Sequence, residues 1–189
     1  MTGPKRCDWA ESSDLMRRYH DEEWGVPSRD ETHLFEMLVL EGAQAGLSWA
    51  TILNKRENYR RALDGFDPGR VARYGERKVA TLLGDAGIVR NRLKVRGTVT
   101  NAQAFLATAE EHGSFADYLW SWVDDTPIVH RPRTMADLPA RSDLSDRVGK
   151  DLKRRGFTFV GSTIVYSYLQ AVGVVDDHLV RCPYKTKRS

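Results

Sequence analysis

Leu82-Leu83-Gly84-Asp85-Ala86-Gly87-Ile88 is the stretch that decides the fold. It ends one helical pattern, from about Glu76 to Leu83, and turns through two closely spaced glycines into another. The second pattern, from about Arg90 to Ala109, is basic at its start, with Arg90, Arg92, Lys94 and Arg96. Outward from this hairpin the chain keeps reading as helices separated by short Gly, Pro and Asp turns. Ser12 and Ser13 can cap a helix over 14–22, and Asp30 opens an apolar helix through Leu34, Phe35, Leu38 and Val39 to about Ala43. Ser48 caps the next, and Asp67-Pro68 starts a short one running to Tyr74, with proline at the first helical position. Ser114 opens an aromatic helix with Phe115, Tyr118, Trp120 and Trp122. Two more follow, Ser142 to Arg155 and about Ser162 to Val172. Residues 124–140, with three prolines, read as irregular, and only Val129 and its neighbours suggest a strand. The expected fold class is therefore all-α, in one domain over 1–189 with its hairpin near 76–101.

The hairpin has the form of a helix-hairpin-helix element. In such elements backbone N–H groups at a helix start face a DNA phosphate, which makes Gly84 and Gly87 candidate contacts. Arg90 and Arg92 on the next helix would add affinity that falls with salt. Short glycine turns between helices are also common without any DNA role. Net charge is only +3, but it is unevenly spread. Residues 1–49 balance to −5, 50–101 to +7, 102–149 to −4 and 150–189 to +5. A fold bringing the two basic segments together would present a face that attracts polyanions. No acidic residue occurs between Asp85 and Glu110, so a catalytic Asp just after the hairpin is excluded.

The first residues lack the apolar core of a signal peptide, and no run approaches the ~20 apolar residues of a membrane span. A cytoplasmic protein with no membrane partner is expected. Only two cysteines occur, Cys7 and Cys182, and a reducing compartment disfavours joining them as a disulfide. Each has a histidine within reach, His20 thirteen positions after Cys7 and His178 four before Cys182. Together they make a Cys2His2 set that suits tetrahedral, structural zinc with no open position for water. A crosslink closing so long a loop contributes on the order of 5 kcal/mol in the chain-entropy picture. The pairs are far apart in sequence, so stray thiols and surface histidines are the plain alternative.

Glu41 follows Met37-Leu38-Val39-Leu40 near the end of the apolar helix. A carboxylate there is costly unless paired or solvated, and it sits at the helix end that disfavours negative charge. Gly42-Ala43-Gln44-Ala45-Gly46-Leu47-Ser48-Trp49 follows, and the first quarter of the chain also holds Trp9, Tyr19 and Trp24. Aromatic faces and one carboxylate are what a flipped purine pocket requires, and such faces attract a cationic, alkylated base. A surface glutamate beside a core tryptophan is the bland reading of the same residues.

Several stretches resemble the DNA-3-methyladenine glycosylase I family. They include Cys7-Asp8-Trp9, Tyr19-His20-Asp21-Glu22-Glu23-Trp24-Gly25-Val26-Pro27, Leu40-Glu41-Gly42, Gln44-Ala45-Gly46-Leu47-Ser48-Trp49, Lys55-Arg56-Glu57-Asn58-Tyr59-Arg60, Asp85-Ala86-Gly87-Ile88, Arg155-Gly156-Phe157, Phe159-Val160-Gly161 and Asp177-His178. The resemblance implies a helix-hairpin-helix glycosylase fold, zinc on Cys7, His20, His178 and Cys182, and excision of 3-methyladenine from double-stranded alkylated DNA without a lyase step, by a monomer. It places the base-recognising carboxylate on Glu41, the pocket aromatics on Trp9, Tyr19, Trp24 and Trp49, and the DNA-wedging loop on Gly46 and Leu47. Met16 stands where family members often carry a second tyrosine. Two rivals make different predictions. A catalytically silent helix-hairpin-helix module would bind DNA without releasing a base. A small-molecule hydrolase using Glu41 would show salt-insensitive activity and no DNA affinity.

Overall fold

The computed structural model describes residues 5–185. Residues 1–4 and 186–189 lie outside them; with the latter goes most of the stretch Lys185 to Ser189, which the sequence reads as a frayed basic tail. The helices are α1 (Asp14–Glu22), α2 (Glu31–Gln44), α3 (Trp49–Ala62), α4 (Pro68–Val71), α5 (Glu76–Gly84), α6 (Arg92–His112), α7 (Phe115–Ser121), α8 (Asp143–Arg154) and α9 (Ser162–Ala171). Most begin at a side chain that satisfies an orphan amide. Ser13 accepts from the Met16 N–H at 3.2 Å, Asp30 from His33 at 2.7 Å and Ser48 from Thr51 at 3.2 Å.

Boundaries differ from the sequence reading in two helices, and the one opened by Asp67-Pro68 ends at Val71 instead of Tyr74. The basic helix starts at Arg92, because the Asn91 side chain accepts from the Lys94 N–H at 3.1 Å and so takes the cap. Arg90 therefore lies in the turn before it. The same helix continues to His112 and stops at Gly113, whose φ of 94° is left-handed. The reading also missed a strand pair. Ile128–Val129 (β1) runs parallel to Val175–Asp176 (β2), two residues each, too short to produce a visible alternation.

α2 is the axis of the fold. Its sequence pattern suggests one apolar face, but every residue from Leu34 to Ala43 is buried, because α3, α6, α7 and α9 surround it. Phe35, Phe105 and Phe115 continue that core, with successive ring centroids 5.3 and 4.1 Å apart. After α9 the chain doubles back through Gly173, where φ is 74° and an added Cβ would lie 2.2 Å from the Val26 carbonyl carbon. Only glycine permits that crossing. It carries 175–182 over α1, so the two ends of the described chain meet.

Candidate active site

A cavity of about 300 Å³ opens between α1, the end of α2, the start of α3 and α9. Trp9, Tyr19, Trp24, Glu41 and Trp49 all line it, so the structure brings the predicted carboxylate and aromatics together. Tyr19 lies 5.2 Å from Trp49 and Trp9 5.1 Å from Trp24, centroid to centroid. Trp49 is the first residue of α3, held in place by the Ser48 cap, and its buried indole N–H has no partner among the described residues. Met16, one turn before Tyr19 on α1, also lines the cavity.

Glu41 is 5% exposed, which removes the surface-glutamate reading. No donor or cation reaches its carboxyl among the described residues, and burial pushes it up to about 8. Glu36, five residues earlier on the same helix, shows the contrast. Burial raises its pKa too, but the bidentate hydrogen bonds of Arg56 (2.9 and 3.0 Å) and Arg60 (2.7 and 3.1 Å) outweigh this and hold it below the usual carboxylate range. One buried acid is fully paired, while the other faces a cavity alone. A strongly perturbed, unpaired acid in a cleft marks a functional site.

Beneath the aromatic wall, Cys7, His20 and Cys182 place one ligand atom each within 4.8 Å of one another. Cys182 Sγ to His20 Nε2 is 3.6 Å, within the spacing of about 3.3–3.8 Å between ligands on a tetrahedral ion. The His178 ring lies 4.9 Å from that of His20, and its Nε2 is buried without a partner. The Nδ1 of each histidine contacts a carboxylate, Asp21 at 2.8 Å for His20 and Asp176 at 2.7 Å for His178. With Nδ1–H donating to its carboxylate, each neutral imidazole keeps an unprotonated Nε2 whose lone pair can ligate, the arrangement of a metal ligand with its supporting carboxylate. The sulfurs themselves interact. The hydrogen bond from Cys7 pulls the Cys182 thiol well below the usual thiol range, while the same bond pushes Cys7 up. These residues fit a metal ion. His178 and Cys182 sit in a tight turn, not on a helix, with Cys182 N–H donating to Leu179 O at 2.8 Å.

The turn after α2 holds Gly46, at a left-handed φ of 79°, and Leu47, which is 42% exposed. Lys94, one of the basic residues at the start of α6, is not a free surface cation. Its Nζ donates to Ala43 O at 2.8 Å and Ala45 O at 2.6 Å, which ties the start of α6 to the end of α2. Arg96 is also engaged, by both oxygens of Glu76. Arg90 and Arg92 are exposed and meet no acidic partner among the described residues. In the hairpin itself, the Gly87 N–H is taken by the Asp85 carboxylate at 2.7 Å, so that amide does not stand open to a phosphate. A Cβ at Gly87 would lie 3.0 Å from the Asn58 side chain, and Gly84, the last residue of α5, has open space around it.

Some lining residues escaped the sequence reading. Met135 and Leu138 reach the cavity from the segment read as irregular, and Ser167 and Gln170 from one face of α9. The signal available was the polar pair at i and i+3 on an otherwise apolar helix.

A profile of the methyladenine glycosylase family matches residues 9–186. The chain is 48% identical over 178 residues to DNA-3-methyladenine glycosylase 1 of Escherichia coli K12, covering 94% of this chain and 95% of that protein. It is 42% identical over 181 residues to DNA-3-methyladenine glycosylase of Haemophilus influenzae, covering 96% and 98%. Among solved structures, a crystal structure of 3-methyladenine DNA glycosylase I superposes with TM-score 0.91 at 48% identity, over 95% of this chain and 98% of that one. The Staphylococcus aureus enzyme, solved to explain 3-methyladenine recognition, superposes with TM-score 0.93 at 36% identity, over 97% and 98%. Sequence and fold agree over nearly the full length, and this chain belongs to the methyladenine glycosylase family.

Proposed function

We propose that this chain is a monofunctional base-excision repair glycosylase that flips 3-methyladenine out of alkylated double-stranded DNA and releases it by hydrolysis, acting as a monomer in the cytoplasm. The observation that carries the reading is Glu41, an unpaired buried acid opening on an aromatic-walled cavity. Among the described residues no helix is long and apolar enough to cross a membrane.

Arg90 and Arg92 hold the phosphate backbone beside the hairpin glycines Gly84 and Gly87. Leu47, presented by the Gly46 turn, fills the gap left in the base stack. A base alkylated at N3 and still joined to its sugar carries positive charge. Tyr19, Trp9, Trp24 and Trp49 attract that cation through their ring faces. The cation also draws the Glu41 proton off, since an opposite charge lowers a carboxyl that burial had raised. The charged carboxylate then holds the lesion and discriminates against neutral adenine.

Cleavage breaks the bond from C1′ to N9, and the electron pair leaves with the base. The base departs neutral, so no acid is needed. Water adds to the oxocarbenium-like sugar and loses its proton to solvent. Among the described residues no lysine lines the cavity, which supports hydrolysis without a lyase step. Cys7, His20, His178 and Cys182 would hold a zinc ion as a structural crosslink, two thiolates and two neutral imidazoles balancing its charge.

Chromatography of bases released from methylated DNA is the test. Wild-type protein is expected to release 3-methyladenine and Glu41→Gln to release very little. DNA binding without release would instead establish a silent module, and wild-type rates in Glu41→Gln would remove that residue from the mechanism.

A further inference from the structure

Gln170 sits on α9, half-buried, and lines the same cavity as Glu41. Its Nε2 donates to Asp177 Oδ2 at 2.6 Å. Asp177 is fully buried and receives two further bonds, from the Tyr166 hydroxyl at 2.5 Å and the His130 ring nitrogen Nδ1 at 2.6 Å. A side-chain amide has one accepting and one donating end, and its orientation follows from its partners. Turning the amide over would set its oxygen 2.6 Å from a carboxylate oxygen, two acceptors in contact. Asp177 therefore fixes the donating end inward. The accepting end, Oε1, has no donor among the described residues, on a side chain that borders the cavity.

We propose that Gln170, locked by Asp177, is a specificity-determining residue that selects bases carrying an exocyclic amine at C6 over bases carrying a carbonyl there. The inference rests on reading the cavity as the base pocket. An adenine-type lesion offers an N6 amine, two donors with no acceptor. A guanine-type lesion offers O6, an acceptor. Tyr19, Gln44, Trp49 and Ser167 also bring hydrogen-bonding groups to this cavity, but Oε1 is held as an acceptor by the buried Asp177 and presents that acceptor to either base. It satisfies the first and leaves the O6 of the second facing an acceptor, a polar mismatch that a binding site rejects. The lock matters as much as the residue, because a free glutamine would turn over and serve either base.

The test measures kcat/KM for release of 3-methyladenine and of 3-methylguanine from methylated DNA. Gln170→Met keeps the length of the side chain and removes the acceptor. The ratio of the two values is expected to narrow about tenfold, mainly by loss on 3-methyladenine. Asp177→Asn gives the partner a donating end, so Gln170 is free to turn, and release of 3-methylguanine is expected to rise in absolute terms. Metal content is measured in parallel, because residue 177 adjoins His178. An unchanged ratio in Gln170→Met, or equal loss on both bases, overturns the proposal. The pocket reading is judged separately: if wild type releases 3-methyladenine and Glu41→Gln does not, a negative result at Gln170 removes only this inference.

Discussion

The indole of Trp24 stands edge-on to the imidazole of His178, with ring centroids 4.6 Å apart. Trp9 meets His20 in the same way at 5.2 Å. The wall of the cavity therefore rests on His20, one of the Cys7–His20–Cys182 cluster that could hold a metal, and on His178, the proposed fourth ligand. Stripping the metal frees those imidazoles to turn, and the tryptophans lose the surface they rest on. Chelated protein is expected to melt at least about 10 °C lower, from the loop-closure term and the usual dependence of melting temperature on stability. Its affinity for free 3-methyladenine should fall about tenfold. Elemental analysis and thermal melts check this, and the absence of stoichiometric zinc in purified protein would remove the crosslink.

Glu41 should cost stability as the pH rises. Burial lifts its pKa from 4.5 to about 8, so the folded protein holds a proton that the unfolded chain has already lost. The stability linked to that proton is intact below about 4.5 and lost progressively toward pH 8. Glu41→Gln removes the titration. Its melting temperature should exceed wild type by several degrees, roughly 3–8 °C, at pH 8 and match it near pH 5. Release of 3-methyladenine should fall in the same variant. A gain in stability with a loss of activity separates a functional acid from a structural one.

Glu36→Gln should do the opposite. Arg56 also bonds Glu23 at 2.9 Å, so Glu36 is the centre of a buried network joining α2, α3 and the end of α1. Its pKa is depressed, so its contribution is present above the unfolded carboxyl range and lost as the pH falls below it. Removing the charge leaves the buried Arg56 with only the partly exposed Glu23 as a charged partner, at a cost of about 3 kcal/mol. Denaturant melts at neutral pH measure this, and equal stability of Glu36→Gln and wild type would show that the network contributes nothing.

The contrast between these two glutamates marks how far the sequence could be read. Glu41 is legible because glycine and tryptophan cluster beside it and because the family resemblance names it. The partners of Glu36 sit 20 and 24 residues away on another helix. No local pattern announces such a pairing. Capping residues located the helices well, since a cap is a local hydrogen bond. Asn91 was missed as a cap because the arginines around it read as continuous helix. Met135, Leu138 and Gln170 were missed for a further reason. They reach the cavity only through tertiary crossings, such as the close passage of Gly173 over Val26 and the pairing of β1 with β2.

Arg90→Ala with Arg92→Ala tests the hairpin. Each arginine that meets a phosphate contributes about 0.9 to the slope of log affinity against log salt. The double variant is expected to bind undamaged duplex more weakly, with a slope shallower by one to two. Its affinity for the free base should be unchanged, because neither residue lines the cavity. An unaltered slope would move the phosphate contacts elsewhere.

Lys94 should behave differently from both arginines, although it lies beside them at the start of α6. Its ammonium bonds the carbonyls of Ala43 and Ala45, between Glu41 and Leu47, and burial lowers its pKa. It couples the start of α6, where the proposed phosphate contacts lie, to the turn proposed to enter the base stack. Lys94→Met leaves these carbonyls unpaired and loosens that turn without opening the aromatic cavity. Release of 3-methyladenine from duplex is expected to slow about tenfold, the cost of one charge-assisted hydrogen-bonded contact. Free-base affinity should stay within about twofold, and the salt slope should match wild type. A slope reduced as in the arginine variants would show that Lys94 turns outward to a phosphate when DNA arrives. Equal loss of free-base binding and duplex activity would show instead that it supports the cavity as a whole.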